Sequence, residues 1–156
     1  MSLIEAIGAW PGAVFLRGSS TAYLFVNATH ILGIGLLVGS ILPLDLRLIG
    51  CWRGVPITVI GPFLLRGAIV GTATAIATGL WLFSVKPDEY VANAAFLAKM
   101  TLLAFAAGNI ALQHHSRDFR LALSGAEISF PVRVRAAVSA VLWLSVLLAG
   151  RWIGFL

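Results

Sequence analysis

The stretch at residues 23–50, YLFVNATHILGIGLLVGSILPLDLRLIG, decides the fold of this chain. About 20 mostly apolar residues, at about 1.5 Å of rise each, let a helix cross the hydrocarbon core of a bilayer. The stretch carries one imidazole, His30, and ends with the charged residues Asp45 and Arg47. An ionisable side chain is costly to place inside an apolar span and marks a functional-site hypothesis. The stretch therefore predicts a transmembrane helix that contains a candidate site.

The composition extends this interpretation to the whole chain. Of 156 residues, 60% are hydrophobic and only 11% are charged, and the mean hydropathy is +0.97. Soluble domains carry about 25% charged residues. An integral membrane protein is therefore expected, with room for four spans in one domain. The net charge of +5 comes from basic residues between the spans, where the positive-inside rule places them, so nucleic-acid binding is not expected.

Four apolar segments predict an all-α, polytopic four-helix bundle that occupies residues 1–156 as a single domain. The predicted spans are residues 22–42, 63–83, 91–112 and 136–155. The first helix is expected to continue past Pro43 to Ile49. Residues 2–16, with Trp10 and a break at Pro11, predict a short interfacial helix before the first span. Residues 117–123, in the last connection, are expected to lie along the membrane surface.

The basic residues predict the orientation of the bundle. Three or four of them lie towards the face that carries the termini: Arg17, Lys86 and Arg151, with Lys99 further inside. Seven lie at the opposite face: Arg47, Arg53, Arg66, Arg117, Arg120, Arg133 and Arg135. This asymmetry predicts that both basic connections face the cytoplasm and both termini lie outside, which for the inner membrane of a bacterial cell is the periplasm.

Small residues indicate how the first two spans meet. They recur at every fourth position of the second span, at Gly67, Gly71, Ala75 and Gly79, and the first span offers Gly35 and Gly39 at the same spacing. Such stripes let two helix backbones approach closely in lipid. Close helix packing is the expected role, and a stripe that admits a flat cofactor ring is the alternative.

A layer of polar residues crosses the outer half of the predicted bundle. His30 and Lys99 each lie about eight residues, or about 12 Å, from the outer end of their spans. Thr78 and Ser145 fall in the same slab. Three further residues lie at helical spacing from the two ionisable groups and complete the candidate cofactor site: Asn27, Asn93 and Phe96.

Several roles are open for the two ionisable residues. The His30 imidazole is expected to bond a neighbouring helix, to ligate a haem iron as the metal-binding residue of the site, or to contact a quinone or other ligand. The Lys99 ammonium is expected to extend to the outer surface, towards Asp88 or Glu89, or to bind an anionic ligand group. A haem shared by His30 and His114 is excluded, because the two residues differ in depth by roughly 20 Å.

A second polar group lies at the opposite face. Asp45 and Arg47 end the first span, and Arg66 begins the second. Asn109 and Gln113, near the end of the third span, complete the group. The group predicts a structural ion pair of Asp45 with one of the two arginines that locks the helix ends, with a phospholipid headgroup or partner contact as the alternative. No hydrolase or nucleotide-binding motif accompanies them, so catalytic activity of the chain itself is not expected.

Several motifs in combination resemble an uncharacterised family of small bacterial four-helix integral membrane proteins. They are HILGIGLLVG at 30–39, DLRLIG at 45–50, TGLWLF at 78–83, NAAFLAK at 93–99, Asn109 and the Gly150-Arg151 pair. The family looks distantly like copper-resistance D-type and cytochrome-b-type four-helix modules. That kinship implies haem b or quinone chemistry.

The functional expectation combines the polar layer with this resemblance. The chain is expected to be an accessory membrane subunit whose outer polar pocket binds haem b or a quinone for electron transfer. Its expected partners are the lipid bilayer and a larger membrane protein or further copies of the chain. The alternatives are a structural subunit of a membrane complex and a small-ligand transporter or sensor.

Overall fold

A computed structural model describes residues 3–155, and all its regular elements are helices. Met1, Ser2 and Leu156, which the predicted domain of residues 1–156 includes, lie outside the described residues. Eight α-helices and one 3₁₀ segment follow one another within the described range: α1 (Leu3–Ala9), α2 (Pro11–Gly18), α3 (Ser20–Ile49), α4 (Ile57–Val85), α5 (Pro87–Ala92), α6 (Ala94–His115), α7 (Arg117–Leu123), α8 (Phe130–Trp152) and the 3₁₀ segment (Ile153–Phe155).

The predicted all-α fold with four membrane-crossing helices is confirmed. The helices long and apolar enough to cross a bilayer are α3, α4, α6 and α8, the last counted with its 3₁₀ extension. The first of them continues through Pro43 to Ile49, as its apolar pattern predicts. Residues 117–123 form α7, and its buried Phe119 and Ala122 face the bundle.

Three helix starts differ from the predicted spans, and one of them is that of α8, which begins at Phe130 rather than at position 136. The second spanning helix begins at Ile57, and Pro62 lies inside it. The predicted span begins at residue 63, so Pro62 was expected to be the last residue of the connection between the first two spans. A spanning helix tolerates a proline where neighbouring groups satisfy the freed carbonyl. The third begins at Ala94, because Asn93 caps it and separates it from α5. An asparagine side chain at this position accepts a bond from a free N–H of the first turn.

The spanning helices pack in the order α4, α3, α8, α6. The central pair, α3 and α8, contact each other, while α4 packs on α3 and α6 packs on α8. In the described part of the chain, α4 and α6 do not pack against each other along their length. Near Phe119, α7 contacts both of them. We call this the α7 end of the bundle, and the opposite end, where Ser20 and Trp152 lie, the terminal end.

The contact between α3 and α4 is the closest in the bundle. A Cβ added to Gly71 would lie 2.4 Å from the Leu37 backbone nitrogen, and one added to Gly33 would lie 2.9 Å from that of Ala75. The small-residue stripe of α4 thus packs closely against α3, as its spacing predicts. The stripe is filled by α3, so it has no room for a flat cofactor ring at Gly71.

The glycines of α3 that were predicted to make this contact do not make it. A Cβ on Gly35 or Gly39 would meet nothing within 4 Å, and both residues are exposed. Gly33 takes their place. Positions 33 and 35 are two residues apart, which rotates them by about 200° around a helix with 3.6 residues per turn. Spacing alone does not reveal which of the two faces meets the partner helix.

The N-terminal segment forms two short helices rather than one. The break falls at Trp10, before Pro11, and the second helix docks on the terminal end of α4. Arg17 donates to the carbonyls of Val85 and Gly8, and the Trp81 indole donates to the Gly12 carbonyl at 3.0 Å. The Val85 and Gly8 carbonyls lie in the last turns of α4 and α1, where intrahelical partners are missing.

Candidate functional site

The imidazole of His30 is held by two threonines of α4. Its Nδ1 lies 3.0 Å from the Thr78 hydroxyl oxygen, and that hydroxyl lies 2.6 Å from the Thr74 carbonyl. A hydroxyl has one proton, and a carbonyl can only accept, so Thr78 donates to Thr74. The Thr78 oxygen therefore accepts from His30, and Nδ1 carries the imidazole proton. The second ring nitrogen, Nε2, is then the one with a free lone pair.

Small residues of α4 make room for the imidazole. A Cβ added to Gly79 would lie 3.0 Å from His30 Cε1, so the ring packs directly over this glycine. The stripe on α4 therefore has two uses along its length. It packs the backbone of α3 near Gly71 and cradles the imidazole at Gly79.

Lys99 approaches the same region from α6. Its charge interacts electrostatically with the His30 imidazole, which places the two groups in one local environment. The outer carbons and Nζ of the lysine pass within 4.0 Å of the position of a Cβ on Gly150. Because Gly150 is near the terminal end of α8, the lysine runs outward along α8. This direction agrees with the expected extension of a half-buried lysine towards the membrane surface.

The acidic residues proposed as partners of Lys99 include one that is occupied elsewhere. Glu89 accepts from Lys86 at 2.8 Å in an exposed ion pair. Both the hydrogen bond and the charge of Glu89 raise the pKa of the Lys86 ammonium. In the region between Leu3 and Phe155, no salt bridge links Lys99 to Glu89 or Asp88. The Lys99 ammonium thus has no carboxylate partner among the described residues.

The other residues of the predicted site have separate positions. Asn93 caps α6 by accepting from the Phe96 backbone N–H at 3.1 Å, and its amide donates to the Ile153 carbonyl at 3.4 Å. Both polar atoms of Asn93 thus hold helix ends together. Asn27 is exposed on α3, and its membership of the site stays a prediction. Ser145 is exposed and bonds the Val141 carbonyl of its own helix.

Phe96 belongs to an aromatic cluster that bridges α4 and α6 at the terminal end. Its ring stacks on Phe83, with centroids 5.5 Å apart and planes inclined by 10°. Tyr90 packs against both rings. Burial, together with the neighbouring Tyr23, raises the pKa of the Tyr90 phenol, which stays neutral at physiological pH. The cluster joins α4 and α6, whose backbones do not pack against each other. It lies on the side from which Lys99 reaches the site.

The predicted ion pair at the other end of α3 is absent, and its carboxylate is instead buried. Asp45 is only 4% exposed, and its Oδ2 has no hydrogen-bond partner. Ser139 of α8 lines the same small cavity as Asp45. The expected partners point elsewhere: Arg47 donates to the carbonyls of residues 55 and 53, and Arg66 is exposed. Asp45 faces α8, whereas two residues further along the helix Arg47 faces the connection to α4.

Among the described residues, His30 is the one histidine that lies away from the α7 end, so a metal centre there would draw on a single imidazole of this chain. No group of three or more histidine, cysteine, aspartate or glutamate side chains comes together among residues 3–155. His114 and His115 lie at the α7 end, where His114 packs on Phe119 and His115 bonds the Ala111 carbonyl. The placement agrees with the depth argument that excludes a haem shared by His30 and His114. A metal bound here would need an open or non-histidine position opposite His30.

Three residues of this site were not assigned to it from the sequence: Thr74, Gly79 and Gly150. The backbone carbonyl of Thr74 accepts a hydrogen bond from the Thr78 hydroxyl. A side chain at Gly79 would lie against His30, and one at Gly150 would lie against Lys99. For Gly79 a signal was present, since it ends the small-residue stripe that faces the histidine-bearing helix. Gly150 carried no such signal, because its role depends on the path of the Lys99 side chain.

Comparison with known proteins places the chain in a family. A family model described as a family of unknown function, DUF6644, matches residues 7–156. The chain belongs to this family. No curated protein and no solved structure matches it. The matched range includes both helices that hold His30 and Thr78, as well as the lysine-bearing α6, so the whole candidate site lies inside the family region.

Proposed function

We propose that the chain is an accessory integral membrane subunit that holds a quinone at His30 and Lys99 for electron transfer. The observation that carries the proposal is the hydrogen bond between His30 and Thr78, which leaves Nε2 as an acceptor. A quinol hydroxyl can donate to this nitrogen, and the Lys99 ammonium can donate to a quinone carbonyl. The site thus offers one acceptor and one donor from two helices.

Haem b is the alternative occupant of the same site. Nε2 is also the atom through which a histidine ligates iron, with the other ring nitrogen fixed by a hydrogen bond. The sequence motifs that resemble copper-resistance D-type and cytochrome-b-type modules would, if the resemblance reflects kinship, imply either cofactor. The quinone is favoured because the described residues bring only one imidazole to this depth, whereas a quinone needs only hydrogen-bonding groups.

The proposal includes a larger membrane partner, because the described side chains include no redox group that would supply electrons. The chain has no catalytic activity of its own in this proposal, and it lies in a bacterial inner membrane with both termini in the periplasm. A purely structural subunit is the second candidate. It is favoured by α6, which packs along its length only on α8 and leaves Phe105 and Leu112 more than 60% exposed. Those side chains suit lipid, a larger partner or a second copy.

The test is binding of a short-chain ubiquinone analogue to the purified protein in lipid nanodiscs, followed by calorimetry. Saturable binding is expected. Replacement His30→Ala should weaken it about tenfold or more, equivalent to about 1.4 kcal/mol. Lys99→Met should weaken it as well, since the carbonyl loses its donor. The exposed His115→Ala is the matched control and should bind as the unmodified chain does.

An absorption spectrum of the same preparation separates the alternatives. A Soret band that disappears in His30→Ala would replace the quinone with haem b. A colourless, folded protein that binds no quinone would contradict the cofactor proposal. If it also co-purifies stoichiometrically with a larger complex, the structural role would stand in its place. Saturable binding of an anion that is lost in Lys99→Met would indicate a transporter or sensor.

A further inference from the structure

A second buried polar site lies at the α7 end, well separated from His30. Asp45 and His30 are 15 residues apart on α3, which corresponds to about 22 Å along the helix axis. Asp45 and Gln113 line a common cavity of about 20 Å³ together with Asn109 and Ser139. That volume is enough for one water molecule, since about 10–15 Å³ suffices. The quinone proposal uses none of these side chains.

Two oxygens of this site are buried acceptors without donors. Asp45 Oδ2 and Gln113 Oε1 have no hydrogen-bond partner, although the residues are only 4% and 7% exposed. The Gln113 amide nitrogen is already used, because it donates to the Val132 carbonyl at 3.3 Å. Asn109 similarly donates to the Arg135 carbonyl at 3.1 Å. The cavity therefore contains two hydrogen-bond acceptors, and neither of them has a donor.

No cationic side chain supplies the missing donor or balances an ionised carboxylate. Arg135 lines the cavity, but its guanidinium donates to the carbonyls of Pro131 and Leu112. His114 lies on the wall towards the exposed surface. The walls from α4 and α7 are apolar, at Leu65 and Phe119. An unpaired carboxylate in such surroundings costs several kcal/mol, whereas a neutral carboxylic acid does not carry that cost.

We propose that Asp45 is a proton-binding site whose carboxyl holds a proton and shares it with Gln113 Oε1, directly or through one water in the cavity. The acid proton supplies the donor that both buried oxygens lack. Ser139 of α8 lines the same cavity beside Asp45. Asp45 lies only four residues, or about 6 Å, from the end of α3. The proton exchanges with water at the α7 end, past the exposed imidazole of His114.

The test reads the charge of Asp45 directly in the unmodified site. The chain has three aspartates, at positions 45, 88 and 118. In the double variant Asp88→Asn, Asp118→Asn, carboxyl-¹³C-labelled aspartate reports on Asp45 alone. At about pH 6, roughly two units above the ordinary aspartate pKa of 3.9, we expect the ¹³C signal of a neutral acid. The matched single-aspartate chain that keeps Asp118, Asp45→Asn with Asp88→Asn, should give the signal of a carboxylate.

A second variant tests the partner of the proton. Gln113→Leu removes the acceptor at similar size, so the acid should lose its proton at lower pH than in the double variant. An Asp45 signal that is already that of a carboxylate at about pH 6 would overturn the proposal. So would a signal that moves with sodium concentration at constant pH, because a bound cation would then occupy the site. An unchanged titration in Gln113→Leu would overturn the shared proton.

Discussion

At the scale of single residues, Thr78 determines which nitrogen of His30 meets a ligand. Replacement Thr78→Val keeps the shape of the side chain but removes the acceptor of the Nδ1 proton. We expect the ¹⁵N resonances of the imidazole to show a changed tautomer ratio. The free energy of unfolding should fall by about 0.5–1.5 kcal/mol, the net value of one hydrogen bond. NMR of ¹⁵N-histidine-labelled protein in nanodiscs and denaturant unfolding provide the two measurements.

The control for this residue is Thr72→Val. Thr72 lies on the same helix and makes the same kind of bond to a carbonyl four residues earlier, at 2.7 Å from Ala68. It should affect stability slightly and leave the imidazole resonances unchanged. Identical imidazole spectra in Thr78→Val and Thr72→Val would show that Thr78 does not fix the tautomer.

At the scale of helices, Gly71 sets the distance between α3 and α4. The atoms that a Cβ would meet are backbone atoms of Leu37 and Gly33, which cannot rotate away. Gly71→Ala should therefore destabilise the protein by about 1–3 kcal/mol, the usual cost of overpacking. Gly39→Ala, on the open face of α3, should be neutral or gain up to about 1 kcal/mol from helix propensity. Denaturant unfolding in micelles measures both, and equal stabilities would contradict the assigned contact face.

The sequence predicts helices better than it predicts their rotation about their axes. Spans follow from hydropathy, which is a property of each segment, and the depth of His30 and Thr78 follows from rise per residue. Which face of α3 meets α4 depends on both surfaces together, so Gly33 was missed. The same rotation separates Asp45 from Arg47 and makes the predicted ion pair wrong. Asn93 was assigned to the pocket for its polarity, although its position before an apolar helix also suits a cap.

At the scale of the whole molecule, α7 is the link that holds α4 and α6 together at one end of the bundle. Its Phe119 is 3% exposed and packs in the main apolar core. At the opposite end, the aromatic cluster around Phe83 and Phe96 makes the corresponding link. Between these two links the backbones of α4 and α6 are apart. Side chains at the two ends therefore fix the position of the lysine-bearing α6 relative to α4, in addition to the packing of α6 on α8.

Phe119→Ala should loosen the α7 end specifically. The cavity should cost about 3–5 kcal/mol of stability, as for other buried phenylalanines. Spin labels at the exposed positions Val59 of α4 and Leu112 of α6, in a Cys51→Ser background, report the separation of the two helices. We expect a broader and longer distance distribution in Phe119→Ala. In Leu121→Ala, which removes a 44% exposed side chain of α7, the distribution should stay narrow. Equal distributions in the two variants would show that α7 does not hold α4 and α6 together.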